Sequence, residues 1–197
     1  MTSAPNLLAA QASGAKVVAI LSSGTDMTTA VKQAGEFGII NAGQNVVVPL
    51  VFLTDVHGMG LQTAQGLTFL TAFYWDRDEP SRRFASKFFQ RHGAMPSMPQ
   101  AAVYSGISHY LKCVAAAGTD DTDAVRTKMV LLPVEDFYTA HGTIRSDGRM
   151  LHDMYLARVK KPAASKANWD FYDIVATLPG NQAFKALSES GCPAAKI

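Results

Sequence analysis

Two short stretches of this sequence carry most of the side chains able to meet a small polar solute. "LSSGTD" at 21–26 follows the apolar run Lys16–Leu21, and "FLTDVHG" at 52–58 closes the apolar run Val46–Phe52. Hydroxyls and carboxylates at such places donate and accept hydrogen bonds to a ligand. The same residue types also cap helices and make turns, so either loop alone has an ordinary explanation. Their joint position counts for more. In an open α/β sheet, ligands sit outside the carboxyl ends of the strands, where helix N-termini present unpaired N–H groups. Two successive strand ends rich in Ser, Thr and Asp make half of a polar pocket.

Other chemistry is not encoded at recognisable spacing. "SSGTDMTT" has neither the Gly-x-x-x-x-Gly-Lys of a phosphate loop nor the Gly-x-Gly-x-x-Gly of a dinucleotide site, and no Gly-x-Ser-x-Gly elbow is present. The five histidines, His57, His92, His109, His141 and His152, never fall at metal-ligand spacing with one another or with a cysteine. Asp55 and His57 are two residues apart in a loop-like stretch, an arrangement that does not ordinarily give a catalytic hydrogen bond. The expectation is binding without catalysis, with no metal and no cofactor. Cys113 lies in the apolar helical pattern "YLKCVAAAG" and reads as a buried thiol. Cys192, in "SESGCPAAKI", reads as a tail anchor whose disulfide partner is either Cys113 or a cysteine of another chain.

The elements that must hold these loops alternate between helix and strand. A helix over 5–13 ends at Gly14, and a strand spans Lys16–Leu21. A helix capped by Thr25 or Asp26 then places Met27, Ala30, Val31, Ala34 and Phe37 on one face and closes at Gly38. The continuous apolar strand Val46–Phe52 points to burial on both faces and hence to βαβ units with a parallel sheet. After a Gly- and Thr-rich loop comes the strand-like "LTFLTAFYW" at 67–75. Helices follow over 81–91, with Phe84, Phe88 and Phe89 on one face, and over "QAAVYSGISHYLKCVAAAG". Another, capped by Thr122 or Asp123, is stopped by Pro133. Asp147-Gly148 marks a β-hairpin. "WDFYDIVATLP" at 169–179 reads as a strand before a terminal helix near "NQAFKALSES".

Composition sets the outer limits. A chain of 197 residues, 48% hydrophobic and 17% charged, can bury a core, as one large domain or two small lobes. A net charge of +2 with scattered Lys and Arg gives no ground for a nucleic-acid partner. Apolar stretches such as "NVVVPLVFL" fall short of the roughly 18 to 20 residues that span a bilayer. The first residues lack the ordered parts of a secretory signal, so an exported form would take its signal from outside this stretch.

The order "GAKVVAILSSGTDMTTAVKQAGEFGI", "VVVPLVFLTDVHGMGLQTAQGL", "AFYWD", "QAAVYSGISHYLKCVAAAGTDDTDAVRTKM" and "HGTIRSDGRMLHDMYLARVKKP" resembles the C-terminal half of a type I periplasmic solute-binding protein of ABC transporters. The branch is that of the branched-chain amino acid and aromatic-acid receptors. The resemblance implies an α/β fold with a parallel sheet flanked by helices in one lobe, residues 1–70 and 154–197, plus an incomplete second lobe, residues 71–153. It implies a ligand trapped by lobe closure, a periplasmic location and delivery to a membrane permease. Ser22, Ser23 and Thr25 fall on the loop facing the ligand, and Asp55 falls on the acidic position that meets a ligand ammonium. His57 and Tyr104 are further ligand candidates, Tyr104 with core packing as its competing role. Because such receptors are about twice this length, the resemblance also implies a partner: the missing N-terminal half, or self-association as a homo-oligomer. A ligand-sensing domain of a receptor or regulator shares the fold and is the second reading; a flavodoxin-like enzyme is the third.

Overall fold

The computed structural model describes residues 4–193. In chain order the elements are α1 (Ala4–Ala12), β1 (Val17–Ala19), α2 (Gly24–Glu36), β2 (Asn45–Val47), α3 (Leu53–Met59), α4 (Leu61–Ala64), β3 (Thr68–Thr71), α5 (Glu79–His92), α6 (Met98–Ala117), α7 (Thr122–Leu131), β4 (Thr143–Ile144), β5 (Met150–Leu151), β6 (Met154–Val159), β7 (Tyr172–Leu178) and α8 (Gly180–Ala183). Two compact units result, one of residues up to Thr71 with Tyr155–Ala176, the other of Ala72–Met154 with the described residues from Thr177. The sequence reading keeps 154–197 with the first unit. In the structure, the described residues beyond Ala176 group with the second, where Asp153 Oδ1 accepts from Gly180 N–H at 3.0 Å and Arg145 donates to the Lys185 carbonyl at 2.7 Å.

The first unit is built on a sheet ordered β1-β2-β3-β6-β7. Val18 lies opposite Val46 in a parallel pair, β2 and β3 are also parallel, and β6 returns antiparallel, with Ala157 opposite Phe69. This is the βαβ arrangement expected from the alternation of apolar runs and helical patterns. α2 buries Met27, Ala30, Val31 and Ala34 at three- and four-residue steps, as its sequence predicts. One face of the sheet, carrying Val18, Val46 and Phe69, is buried; the other, carrying Val17, Ala19 and Leu70, is exposed. Burial of β2 on both faces is therefore corrected to burial on one, because no second layer covers it among the described residues.

Three local readings also change. Ser23, not Thr25 or Asp26, is the N-cap of α2, which begins at Gly24 with φ +59°, so the helix starts two or three residues sooner than expected. The stretch 53–66, read as a loop, holds two short helices, Leu53–Met59 and Leu61–Ala64, separated by Gly60 at φ +77°. The terminal helix shrinks to α8 and a single 3-10 turn at Leu187–Glu189.

The second unit holds α5, α6 and α7 and the hairpin β4–β5, whose turn at Asp147-Gly148 is the predicted one, with Gly148 at φ +80°. Asp78 caps α5 by accepting from Ser81 N–H at 2.8 Å. Asp121, one residue before the expected cap, does the same for α7 through Ala124 N–H at 3.0 Å. Phe73, Ala72, Ala101 and Tyr138 form a buried cluster, beside which Phe84 stacks on Phe137 at 3.7 Å. Arg77, almost buried, donates to the carbonyls of Phe137 at 2.8 Å and Tyr138 at 3.0 Å and pairs with Asp78. On α5, Phe84 and Phe88 are half-buried but Phe89 is exposed, so the predicted three-phenylalanine face holds only two. Cys113 is buried and free, as expected; Cys192 is also free, so the Cys113–Cys192 disulfide, one of the two alternatives, is not formed.

Phe69 is fully buried and packs edge-to-face on Tyr172 at 4.7 Å between ring centroids. Phe69→Ala should cost about 3–5 kcal/mol of unfolding free energy, measured by urea denaturation. A loss below about 1 kcal/mol would show that this sheet face is not the core.

Candidate functional site

β1 and β2 are neighbouring parallel strands, so the segments that leave their carboxyl ends emerge at the same end of the sheet. The first runs through Ser22 and Ser23 into α2; the second runs through Phe52 into α3. The structure thus brings Ser22, Ser23 and Thr25 to the same sheet end as Asp55.

Ser22 is half-buried, while Ser23 and Thr25 are exposed. Among the described residues, none of these three hydroxyls makes a hydrogen bond within the protein, and Ser23 caps α2 by backbone position alone. The first intrahelical hydrogen bond of α2 is Met27 N–H to the Ser23 carbonyl, which leaves the N–H groups of Gly24, Thr25 and Asp26 without intrahelical acceptors. Three hydroxyls and a helix start form a rim of uncommitted donors. Asp55, half-buried at the third position of α3, has a structural duty: its Oδ2 accepts from Phe52 N–H at 2.9 Å. That leaves Oδ1 to accept from an amine or hydroxyl.

The other two candidates are placed differently. His57 is exposed on α3, and its imidazole lies flat on Trp169, 4.0 Å between centroids with 15° between planes. Trp169 holds φ +70°, unusual for a residue with a bulky side chain. The imidazole covers the indole, and Asp55 turns to its own helix start, so the two form no acid–base pair. Tyr104 belongs to the second unit, on α6, where its ring meets Phe84 at 5.2 Å and Phe137 at 5.8 Å. It is not buried in the core: the residue is 58% exposed.

The sequence reading missed a cavity of about 740 Å³ in the second unit, lined among others by Tyr138, Arg145, Asp147, Arg149, His152 and Phe184. Its signal lay in "RSDGRMLHD", which reads naturally as turn chemistry. Arg145 binds Asp147 through two nitrogens at 3.1 and 2.6 Å, and Arg149 sits over the Phe184 ring. The His152 imidazole is held below the usual histidine value, chiefly because burial penalises its charged form, with Arg149 and Arg77 adding to this and Asp153 opposing it. Among the described residues there is no group of three or more His, Cys, Asp or Glu able to hold a metal, and no helix long and apolar enough to cross a membrane.

Comparison with known proteins sets this geometry beside relatives. A family profile described as periplasmic binding protein matches residues 4–168. A periplasmic binding protein from Burkholderia mallei is 44% identical, with a TM-score of 0.86; the match covers 98% of this chain and 51% of that one. A branched chain amino acid ABC transporter periplasmic ligand-binding protein from Burkholderia xenovorans is 42% identical, with a TM-score of 0.91, over 98% of this chain and 52% of that one. At the level of fold alone, the chain is similar to a solute binding protein of an ABC transporter from Rhodopseudomonas palustris in complex with 3,4-dihydroxybenzoic acid. The identity there is 19% and the TM-score 0.72, over 90% and 49% of the two chains. The chain thus spans about half the length of the structures it matches. No curated protein matches it.

His57→Ala should remove about 0.5–1.5 kcal/mol, the worth of an aromatic pair, and change Trp169 fluorescence; an unchanged emission spectrum and stability would show the stack to be absent in solution. For His152 the sign follows from its lowered folded-state value. The unfolded chain takes up the proton first, so native stability should fall as pH drops below the ordinary value of 6.5. Denaturation midpoints between about pH 7.5 and 5 should slope less in His152→Gln than in the parent, and equal slopes would contradict the assignment.

Proposed function

This chain belongs to the periplasmic binding protein family, and on that premise we propose that it forms part of an extracytoplasmic solute-binding subunit of an ABC transporter. The subunit captures a small organic solute, an amino acid or an aromatic acid, in the periplasm and presents it to a membrane permease. The two compact units are read as parts of the two lobes of such a receptor, one complete enough to hold its parallel sheet and the other lacking one.

The observation that carries the reading is the uncommitted rim at the carboxyl end of the first unit's sheet. Ser22, Ser23 and Thr25 have hydroxyls with no partner among the described residues, beside a helix start whose first N–H groups have no intrahelical acceptor. Asp55 has one carboxylate oxygen fixed by Phe52 N–H and the other open. Fixed donors next to a fixed acceptor recognise a solute that carries both kinds of polar group, and they do so reversibly. No nucleophile is paired with a base in this set, so binding is its chemistry. The relative from Burkholderia xenovorans, with branched-chain amino acids in its description, and the complex with 3,4-dihydroxybenzoic acid set the two solute classes to try first.

Thermal melting of the purified 197-residue chain against leucine, valine, benzoate and hydroxybenzoates tests this. A solute at 100 times its Kd should stabilise the folded chain by about 2.7 kcal/mol. The shift should disappear in Ser23→Ala/Thr25→Ala for either class and in Asp55→Ala for an amine. A chain that melts cooperatively and ignores every solute would overturn the reading.

A further inference from the structure

The cavity of the second unit has its charges arranged unevenly. Arg145 and Asp147 spend theirs on each other, and the Asp147 side chain is only 5% exposed. The pair also holds main chain. Asp147 Oδ1 accepts from Arg149 N–H at 3.2 Å, and Arg145 Nη1 donates to the Lys185 carbonyl at 2.7 Å. One neutral pair thus pins the backbones of two residues that both line the cavity and both carry a positive side chain. Among the described residues, neither Arg149 nor Lys185 has a carboxylate within ion-pair distance, and Asp147 is the only acid in the lining.

The rest of the wall is aromatic and apolar. His152 meets Tyr138 and Phe184 edge-to-face, at 5.3 and 5.2 Å between centroids, and the Arg149 guanidinium lies 5.5 Å over the Phe184 ring. A guanidinium stacked on a ring keeps its in-plane N–H groups for an anion. Burial keeps the imidazole uncharged at neutral pH, so the surplus in the lining is two positive charges. A volume of about 740 Å³ lies within the range of small-molecule sites.

We propose that this cavity is a second binding site, for a small dianion with an apolar body. Dicarboxylates and phosphate monoesters share that chemistry. A monoanion leaves one of the two cations unpaired, and a neutral solute leaves both. The lining lies wholly within the second unit, and the proposal rests neither on the rim of the first unit nor on the solute assigned to it.

The test is calorimetric titration of the 197-residue chain with succinate and with phenyl phosphate, at low ionic strength because exposed charges are screened by salt. At least one of the two should bind one to one, and more tightly than acetate. Arg149→Ala/Lys185→Ala replaces two exposed side chains, so the variant should keep a single cooperative melt, yet bind the dianion at least about tenfold more weakly. Lys16→Ala/Lys112→Ala, which removes two exposed charges outside the cavity, should leave affinity within about twofold. No binding of either dianion, acetate binding as tight as succinate, or equal weakening in the two variants would overturn the proposal. So would binding that survives Arg149→Ala/Lys185→Ala and is lost in Ser23→Ala/Thr25→Ala, a result that would place the anion at the rim and favour the solute reading instead.

Discussion

An apolar strand face must be covered, and covering one face of the sheet with helices organises the first unit. β1, β2 and β3 run parallel because the helices between them carry the chain back along the sheet. Helical packing on one face buries Val18, Val46 and Phe69, and this fixes where the strand ends emerge. The positions of Ser22, Ser23, Thr25 and Asp55 are consequences of that packing. A loop at the carboxyl end of a parallel strand is held at its base by the ladder and at its exit by a helix, so it presents polar groups from a rigid mount.

The second unit is held together in another way. It has no extended sheet among its described residues, and much of its order comes from charged and polar groups satisfied by main chain. Arg77 donates to the carbonyls of Phe137 and Tyr138, Asp136 accepts from the N–H groups of Tyr138 and Thr139, and Arg145 joins Asp147 to the Lys185 carbonyl. A buried guanidinium on two carbonyls fixes a loop that apolar contacts alone would leave slack. Gly180 packs closely on the hairpin: a Cβ there would lie 3.0 Å from the His152 backbone, tighter than ordinary packing. The segment after β7 is thereby tied to the hairpin, which explains its membership of this unit.

What the sequence shows of this fold is what is decided within a few residues. The spacing of Met27, Ala30, Val31 and Ala34, the turn at Asp147-Gly148 and the stop at Pro133 depend on neighbours in the chain, and each appears in the structure as read. The failures depend on distant partners or on competing local signals. Gly58 and Gly60 disguised α3 and α4 as a loop, although Leu53, Val56 and Met59 share a buried face. The grouping of the residues after Ala176 rests on contacts with Arg145, His152 and Asp153, which no local pattern announces.

The same distinction separates the candidate residues from one another. Position after a strand pointed to the two polar loops and the family resemblance to Ser22, Ser23, Thr25, Asp55 and His57 within them, but neither could say which were already engaged. His57 looked like a ligand-facing imidazole until Trp169, far along the chain, was found stacked on it. Asp55 commits one carboxylate oxygen to its own helix start. The three hydroxyls have no partner among the described residues, and a polar group that folding leaves unsatisfied at a rigid rim loses least when it exchanges water for a solute. By that criterion the rim ranks Ser22, Ser23 and Thr25 first, Asp55 next and His57 last, an order that comes from hydrogen-bond accounting and could not be read from residue type.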